Sequence, residues 1–294
     1  MKAIGFYIFY GINYLITMLP LRVLYLFSDL FYLVLYYLAG YRRKVVAANL
    51  RNAFPEKSEV ERKKIERRFY RHLADLFVET LKATHMSPEQ ISRRFAVRDV
   101  SDFDRLYKDG RSVIALCSHY SNWEWFSAVQ LATPFRVLVI YKPLKNKHFD
   151  QFILNLRTKY GTWVSPMQNI LRDLIKFRNE KILTISGFIA DQTPPPDEHA
   201  YWTTFLNQET GFFRGAEKLA LKYDLPVIFV NITKLKRGYY ELVFELMTDH
   251  PGKESPDFIT TRYAEMLEAV IREKPEYWLW SHRRWKYKKP VKND

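Results

Sequence analysis

Cysteine is almost missing: Cys117 is the single one in 294 residues. An intramolecular disulfide framework is therefore excluded, and no cysteine pair is available for structural zinc; such usage fits a reducing compartment. No G-x-S-x-G elbow, Walker phosphate loop, G-x-G-x-x-G turn or H-E-x-x-H metal helix occurs. There is no internal repeat, low-complexity tract or flexible linker. Acids are scarce relative to bases: Asp+Glu 32 against Lys+Arg 46 gives 46 − 32 = +14, with pI ≈ 9.6. That imbalance calls for an anionic partner: a membrane surface, a nucleic acid, or an acidic protein or substrate. What is plentiful is apolar surface. Hydrophobic residues make 48% and aromatics 16%, which rules out a disordered or collagen-like chain. The length suits one large domain or two small ones. Seven histidines, the acids, and many Arg, Lys and Tyr remain for chemistry.

The first 41 residues differ from the rest. Residues 4–21 carry no formal charge, and residues 23–41 carry only Asp29. A spanning helix needs about 20 apolar residues, so each stretch is borderline. Only Lys2 precedes the first stretch and no clean small-residue cleavage site follows it, which argues against a secretory signal. The many tyrosines suit headgroup depth, where a ring with a polar tip is at home. Arg42, Arg43 and Lys44 come next, and residues 42–71 hold eleven Lys/Arg against four Glu. A basic block after an apolar segment reads as cytoplasmic and is drawn to anionic lipid, by about 1 kcal/mol per basic residue near the surface. We therefore expect residues 1–41 to be a hydrophobic membrane anchor, spanning or interfacial, followed by the main domain over 42–294 whose part 42–91 is a basic helical lead-in. The alternative is a buried helical hairpin of a soluble protein.

Ser58-Glu-Val-Glu61 is a capping box. It predicts a helix with Ile65, Phe69, Leu73, Leu76 and Leu81 on one face and a basic opposite face. After about residue 92 the pattern changes. Apolar runs at 112–117, 136–141, 181–190, 226–231 and 240–246 read as strands. Stretches at 122–133, 148–160, 169–179 and 212–223 read as helices. Ser255-Pro256-Asp257 opens a last helix running to about Glu273. The alternation predicts an α/β fold with a central, mostly parallel sheet flanked by helices. The Pro194-Pro195-Pro196 run with Asp197 and Glu198 predicts an exposed loop.

The chemically informative place is Cys117-Ser-His-Tyr-Ser-Asn-Trp-Glu-Trp125. A strand ends, His119 follows, and a helix opens near Ser121 or Asn122. In open α/β sheets that edge binds ligands. On a regular helix His119 and Glu124 would point about 140° apart. With His119 in the loop and Glu124 in the first helical turn, the two can meet. The carboxylate would then hold one ring nitrogen and the other could take a proton from a hydroxyl. Trp123 and Trp125 would exclude water. A satisfied structural histidine is the bland alternative. Cys117 is set aside, as a buried thiol on an alternating strand pointing away from the neighbours of His119.

The segment resembles the H-x4-D/E motif of glycerolipid-type acyltransferases, and the chain as a whole is most similar to the bacterial lipid A biosynthesis (late) acyltransferases. The likeness runs through Tyr41-Arg-Arg-Lys-Val-Val-Ala-Ala-Asn-Leu50, Phe54-Pro55, His119…Glu124, Tyr141-Lys-Pro143, Asn155-Leu-Arg157…Gly161, Ile189-Ala-Asp-Gln192 and Gly211-Phe-Phe-Arg-Gly215. It ends in Pro275-Glu-Tyr-Trp-Leu-Trp-Ser-His-Arg-Arg-Trp285. The resemblance implies a glycerolipid acyltransferase-like fold and acyl transfer from an acyl carrier protein or coenzyme A thioester to a lipid hydroxyl. It implies no metal, no further cofactor and no covalent intermediate. His119 would be the base and Glu124 its orienter. Arg157 would meet the developing oxyanion, with backbone N–H groups after Tyr120 as a second possibility. Asp191 and Gln192 would contact the acceptor or help position Arg157. Arg214, between Gly211 and Gly215, stands where related enzymes hold a phosphate; a plain strand-to-helix turn is the alternative. Lys142 and Lys145 could do similar work. His282, Arg283 and Arg284 would touch phosphate or carrier protein, or form a solvated basic tail.

The expected function is transfer of a fatty acyl chain to a lipid A precursor or similar anionic glycolipid at the cytoplasmic face of a bacterial inner membrane. An acidic carrier protein and anionic lipid would use the basic surface. An apolar groove would set chain length, at ~0.8 kcal/mol per buried CH₂. One rival keeps the chemistry with an aminolipid, phospholipid or pigment acceptor. Another is a non-enzymatic basic protein binding membrane or nucleic acid. Against nucleic acid, the Tyr and Phe abundance fits core and membrane contact better than base stacking.

Overall fold

In the computed structural model, which describes residues 2–98, 100–195 and 200–290, two apolar helices come first: α1 (Lys2–Met18) and α2 (Leu21–Leu33), the latter continued by a π-turn over Val34–Leu38. The basic lead-in forms α3 (Arg43–Ala53) and the long α4 (Glu59–Lys82). The Ser58 capping box is formed as expected: Ser58 Oγ accepts from Glu61 N, and Glu61 accepts from Ser58 N at 2.7 Å. Then follow α5 (Pro88–Ser92), β1 (Phe95–Arg98), α6 (Ser101–Lys108), β2 (Val113–Cys117), a 3₁₀ helix (Trp123–Ala132), β3 (Arg136–Tyr141) and α7 (Lys147–Thr158). Next are β4 (Trp163–Pro166), α8 (Ile170–Asn179), β5 (Thr184–Ile189), β6 (Ala200–Phe205), β7 (Gln208–Phe213), α9 (Gly215–Tyr223), β8 (Val227–Lys236), β9 (Tyr239–Thr248) and α10 (Phe258–Glu273).

Seven strands form one sheet in the order β1-β9-β8-β2-β5-β3-β4. Its neighbours are parallel except β8 and β9, which form an antiparallel hairpin. The expected α/β fold with a largely parallel sheet is therefore the observed one. β2 is buried along its whole length, and its period of two sends Ile114 and Leu116 to one core cluster and Val113, Ala115 and Cys117 to the other. Helices α3, α4, α9 and α10 cover the first side, while α5, α6 and the 3₁₀ helix cover the second.

Several segments depart from expectation. The 122–133 segment is 3₁₀ rather than α-helical. Residues 212 and 213 belong to β7, not to the following helix. The β6–β7 hairpin turns on Leu206 and Asn207, both with positive φ. Leucine is a poor choice for that backbone, but Glu268 accepts from Leu206 N at 2.7 Å and Asn207 Nδ2 donates to Ala53 O at 3.0 Å. Tertiary contacts thus hold a turn that the local sequence does not announce. In the predicted proline loop, Pro194 is buried and Pro195 exposed; residues 196–198 lie outside the described residues.

The β8–β9 turn docks on α2. Gly238 (φ +74) lies so close to Tyr25 that a Cβ there would sit 2.2 Å from its hydroxyl. Arg237 beside it reaches Asp29 at 2.7 Å and Asp75 at 2.6 Å. α1 packs on α7 through Phe6–Phe149 and Phe9–Phe152 ring contacts.

Candidate active site

Strand register creates the centre of the site. Cys117 pairs with Ile189 on the adjacent parallel strands β2 and β5. Two residues further along each strand stand His119 and Asp191. His119 Nδ1 lies 2.7 Å from Asp191 Oδ1, and His119 N donates to Asp191 Oδ2 at 2.9 Å. Trp278 Nε1 donates to Oδ2 at 2.9 Å. The carboxylate is thus fully engaged and buried, which compensates its removal from water. Gln192 Nε2 stands 3.2 Å from His119 Nε2. These partners fit a neutral ring with its proton on Nδ1 and a lone pair on Nε2. Burial works against the charged imidazolium, but the charge and hydrogen bond of Asp191 outweigh it, so the pKa of His119 lies above the usual histidine value; Glu124 adds to the rise and Arg157 opposes it. Burial would raise Asp191, yet His119 and Trp278 hold it below the usual carboxylate value.

The expected contact between His119 and Glu124 is corrected here. No hydrogen bond joins them among the described residues, and the carboxylate on the imidazole is Asp191. Glu124 accepts from Trp123 Nε1 at 3.2 Å and pairs with Arg157 Nη2 at 3.2 Å. Asp191 already holds Nδ1 and Gln192 stands at Nε2, so neither ring nitrogen is left for Glu124, whose charge is met by Arg157 of α7 instead. Trp123 turns its ring edge to His119, centroids 5.2 Å apart. The acid stays near enough to His119 to act through space.

Beside these residues runs a narrow cleft of about 490 Å³, its open mouth included. Trp123, Phe126, Val139, Ile189 and Ile232 line it, and the Glu124–Arg157 pair stands on its wall. Gly187 forms part of the lining, where a Cβ would come 2.9 Å from Phe126 Cε1. Cys117 lines the same cleft. It does not point away from the motif, since it shares this lining with Trp123 and Glu124. Burial pushes its thiol pKa well up, so it is inert as a nucleophile.

The residues 275–285 are woven into the site. Tyr120 and Trp278 form a β-bridge, Leu279 N donates to His119 O at 3.1 Å, and Ser121 N donates to Tyr277 O at 2.9 Å. The solvated basic tail is thereby corrected. Arg284 is 0% exposed, donates to Thr210 Oγ1 at 2.5 Å and Gly211 O at 2.6 Å, and lies over Phe212. Burial lowers its pKa to about 10. His282 Nε2 is 3.4 Å from Thr193 N, and Arg283 is exposed.

Among the described residues, no hydrogen bond or ion pair joins Arg214, Gly211 or Lys142 to His119, Asp191, Glu124 or Arg157; Arg284 reaches Gly211 at its carbonyl. Arg214 caps α9 and is ion-paired with Asp257. Gly211 sits inside β7, where a Cβ would crowd Ala200 and Pro194 at 3.2 Å. The Gly211–Gly215 stretch is thus a strand end and a helix start. Lys142 lies just past β3.

The partner of His119 escaped the sequence reading, which named Asp191 for another task. The available signal was a second acid at the carboxyl end of a neighbouring parallel strand.

The chain belongs to the bacterial lipid A biosynthesis acyltransferase family, whose model matches residues 1–287. It is an acyltransferase of lipid A biosynthesis. It is 22% identical over 288 residues to a lipid A biosynthesis palmitoleoyltransferase of Escherichia coli (strain K12), covering 93% of this chain and 92% of that protein. A lipid A biosynthesis acyltransferase of Shigella flexneri matches with the same identity and coverage. Among solved structures, the 1-acyl-sn-glycerophosphate (LPA) acyltransferase PlsC from Thermotoga maritima aligns with TM-score 0.38 and 15% identity over 88% of this chain and 97% of that one.

Proposed function

We propose that the protein moves a fatty acyl chain from an acyl carrier protein thioester to a hydroxyl of a lipid A precursor or a similar anionic glycolipid, with His119 as general base. The observation that carries this reading is a half-free imidazole whose ring neighbour Trp123 lines an apolar cleft: Asp191 holds Nδ1, and among the described residues only the Gln192 amide stands at Nε2. An acceptor hydroxyl displacing Gln192 would give its proton to Nε2 while its oxygen attacks the thioester carbonyl. Asp191 steadies the imidazolium that results. Arg157 donates to Glu124 through Nη2, which leaves its Nη1 side to meet the oxyanion. The C–S bond then breaks, and the departing thiolate takes the proton back from His119. No acyl-enzyme is formed in this scheme, and the cleft takes the acyl tail.

The enzyme works at the cytoplasmic membrane surface in this reading, with its anchor lying in the interface rather than crossing. Leu21–Leu38 is long and apolar enough to span. Its polar side, however, is bolted to the body: Ser28 donates to Asp75 and Tyr25 to Glu79, both at 2.8 Å, and Asp29 pairs with Arg237. The outward stripe is apolar, with Leu26, Leu30 and Leu38 at 69%, 60% and 80% exposure, and Ile12 and Leu15 of α1 continue it. Arg43 and Arg71 lie over Tyr36 and Tyr32 at its border, as cations for anionic headgroups.

The test is acyl transfer by purified protein from dodecanoyl-acyl carrier protein to a lipid A precursor, read by mass spectrometry, with His119→Ala alongside. Expected is product from the wild type and a loss of about two to four orders of magnitude in the variant. Product on a different lipid in a deletion strain, with lipid A complete, overturns the acceptor; an unchanged His119→Ala rate overturns the base.

A further inference from the structure

We propose that Glu79, acting through Asn122, is a positioning residue that fixes the turn between His119 and the 3₁₀ helix, so that α4 sets the catalytic geometry. This rests on the chemistry proposed for His119.

Glu79 is 0% exposed. A carboxylate so placed is costly unless fully hydrogen-bonded, and this one is. Oε1 accepts from Tyr25 at 2.8 Å, while Oε2 accepts from Tyr240 at 2.6 Å and Asn122 Nδ2 at 2.8 Å. Its backbone oxygen accepts from Trp125 Nε1 at 3.2 Å. Asn122 is the pivot. Its Nδ2 is spent on Glu79, and its Oδ1 caps the 3₁₀ helix by accepting from Trp125 N at 3.3 Å. The Glu79 carboxylate therefore dictates which way the Asn122 amide faces, and the amide dictates where the helix carrying Trp123 and Glu124 begins.

The preceding residue shows why a clamp is needed. Ser121 has φ 57, a left-handed conformation that a non-glycine residue adopts at a cost. His72, two helical turns before Glu79 on the same face of α4, lies with Nε2 3.1 Å from Ser121 O. Its Nδ1 faces Lys234 Nζ at 3.4 Å. Lysine can only donate, so His72 donates through Nε2 to the strained turn. Two buried side chains of one helix thus grip two successive residues of the catalytic loop. Neither is hydrogen-bonded to His119.

A swap of hydrogen-bond polarity separates positioning from plain stability. Asn122→Asp puts carboxylate against carboxylate. Adding Glu79→Gln removes the repulsion: the introduced aspartate still caps Trp125 N, the glutamine nitrogen in the place of Oε2 donates to that aspartate and to the Tyr240 hydroxyl, which turns from donor to acceptor, and the glutamine oxygen still accepts from Tyr25. The measurements are kcat and KM with dodecanoyl-acyl carrier protein and a lipid A precursor, and Tm. Expected is a fall in kcat of about 10²-fold for Asn122→Asp with KM nearly unchanged, and kcat back in the wild-type range for the double variant. Unchanged kcat in Asn122→Asp overturns the proposal. So does a double variant whose Tm recovers while kcat does not, or which fails to fold. Should Asn122→Asp itself not fold, the double variant decides alone by its kcat. A wild type that transfers no acyl chain sinks the proposed function instead.

Discussion

His119 and Asp191 meet because each lies two residues past one register pair, Cys117 opposite Ile189, on neighbouring parallel strands. Backbone geometry, more than side-chain reach, brings acid and base together. Replacing Asp191 by Asn keeps the shape and removes the charge. We expect kcat to fall about 10²- to 10⁴-fold. The pH profile adds a signed check. In the proposed mechanism the neutral ring is the base, so the wild-type rate should climb with pH through a value above the usual histidine pKa. Without Asp191, burial acts on the ring unopposed by that charge, and the limb should move to lower pH. A limb that stays put would separate Asp191 from the titrating group. Fold stability runs the other way: the raised histidine contributes fully below its unfolded value, and that contribution is lost as pH rises through the raised one.

The Glu124–Arg157 pair is partly open to solvent, with side-chain exposures of 22% and 23%. Its worth to stability should be ~1 kcal/mol or less. Its worth to catalysis should be larger. Arg157→Gln is expected to lower kcat about 10²- to 10³-fold with little change in Tm. Arg157→Lys should recover only part, since an ammonium cannot serve carboxylate and oxyanion in one plane. A large Tm loss with kcat intact would make the pair structural.

Membrane contact is addressed by the outward stripe of α2. Leu26→Glu with Leu30→Glu should weaken binding to phosphatidylglycerol vesicles at least tenfold in co-sedimentation, because each leucine brings roughly 1.5–3 kcal/mol of burial. Both side chains already face outward, so Tm should hold. Binding that survives the double change would place the membrane face elsewhere.

Gly187→Ala tests the cleft. The new methyl would meet Phe126 at 2.9 Å, so the ring, which lines the cleft, must shift. A Tm loss corresponding to about 1–3 kcal/mol is expected, together with a shift of donor preference toward shorter acyl chains when long and short thioesters compete. An unaltered preference would detach this wall from chain selection.

The strands β2, β3, β5, β8 and β9 were legible in the sequence because continuous apolar runs such as VIALC have one stable home, inside a sheet covered on both faces, whereas the short or polar β1, β4, β6 and β7 carried no such run. The helix cap at Ser58 was legible for an equally local reason. What stayed hidden depended on contacts between distant residues. The Leu206-Asn207 turn exists only because Glu268 and Ala53 receive it. The 3₁₀ form of Trp123–Ala132 cannot be told from an α-helix by composition, and nothing near Glu124 in sequence shows that Arg157, 33 residues on, is its partner. The role of Asp191 needed the order of strands, since only adjacency of β2 and β5 brings it beside the histidine. Arg284 read as surface charge because nothing local shows that Thr210, Gly211 and Phe212 enclose it.

The separation along the chain between the imidazole and its partners has a consequence for biogenesis. Asp191 follows His119 by 72 residues, and Trp278 follows Asp191 by 87. At about 5–20 residues per second, a ribosome presents the histidine several seconds before its carboxylate, and several more before the indole that holds that carboxylate. Under the proposed mechanism, the nascent chain therefore carries an incomplete acid–base pair until most of its length has been made.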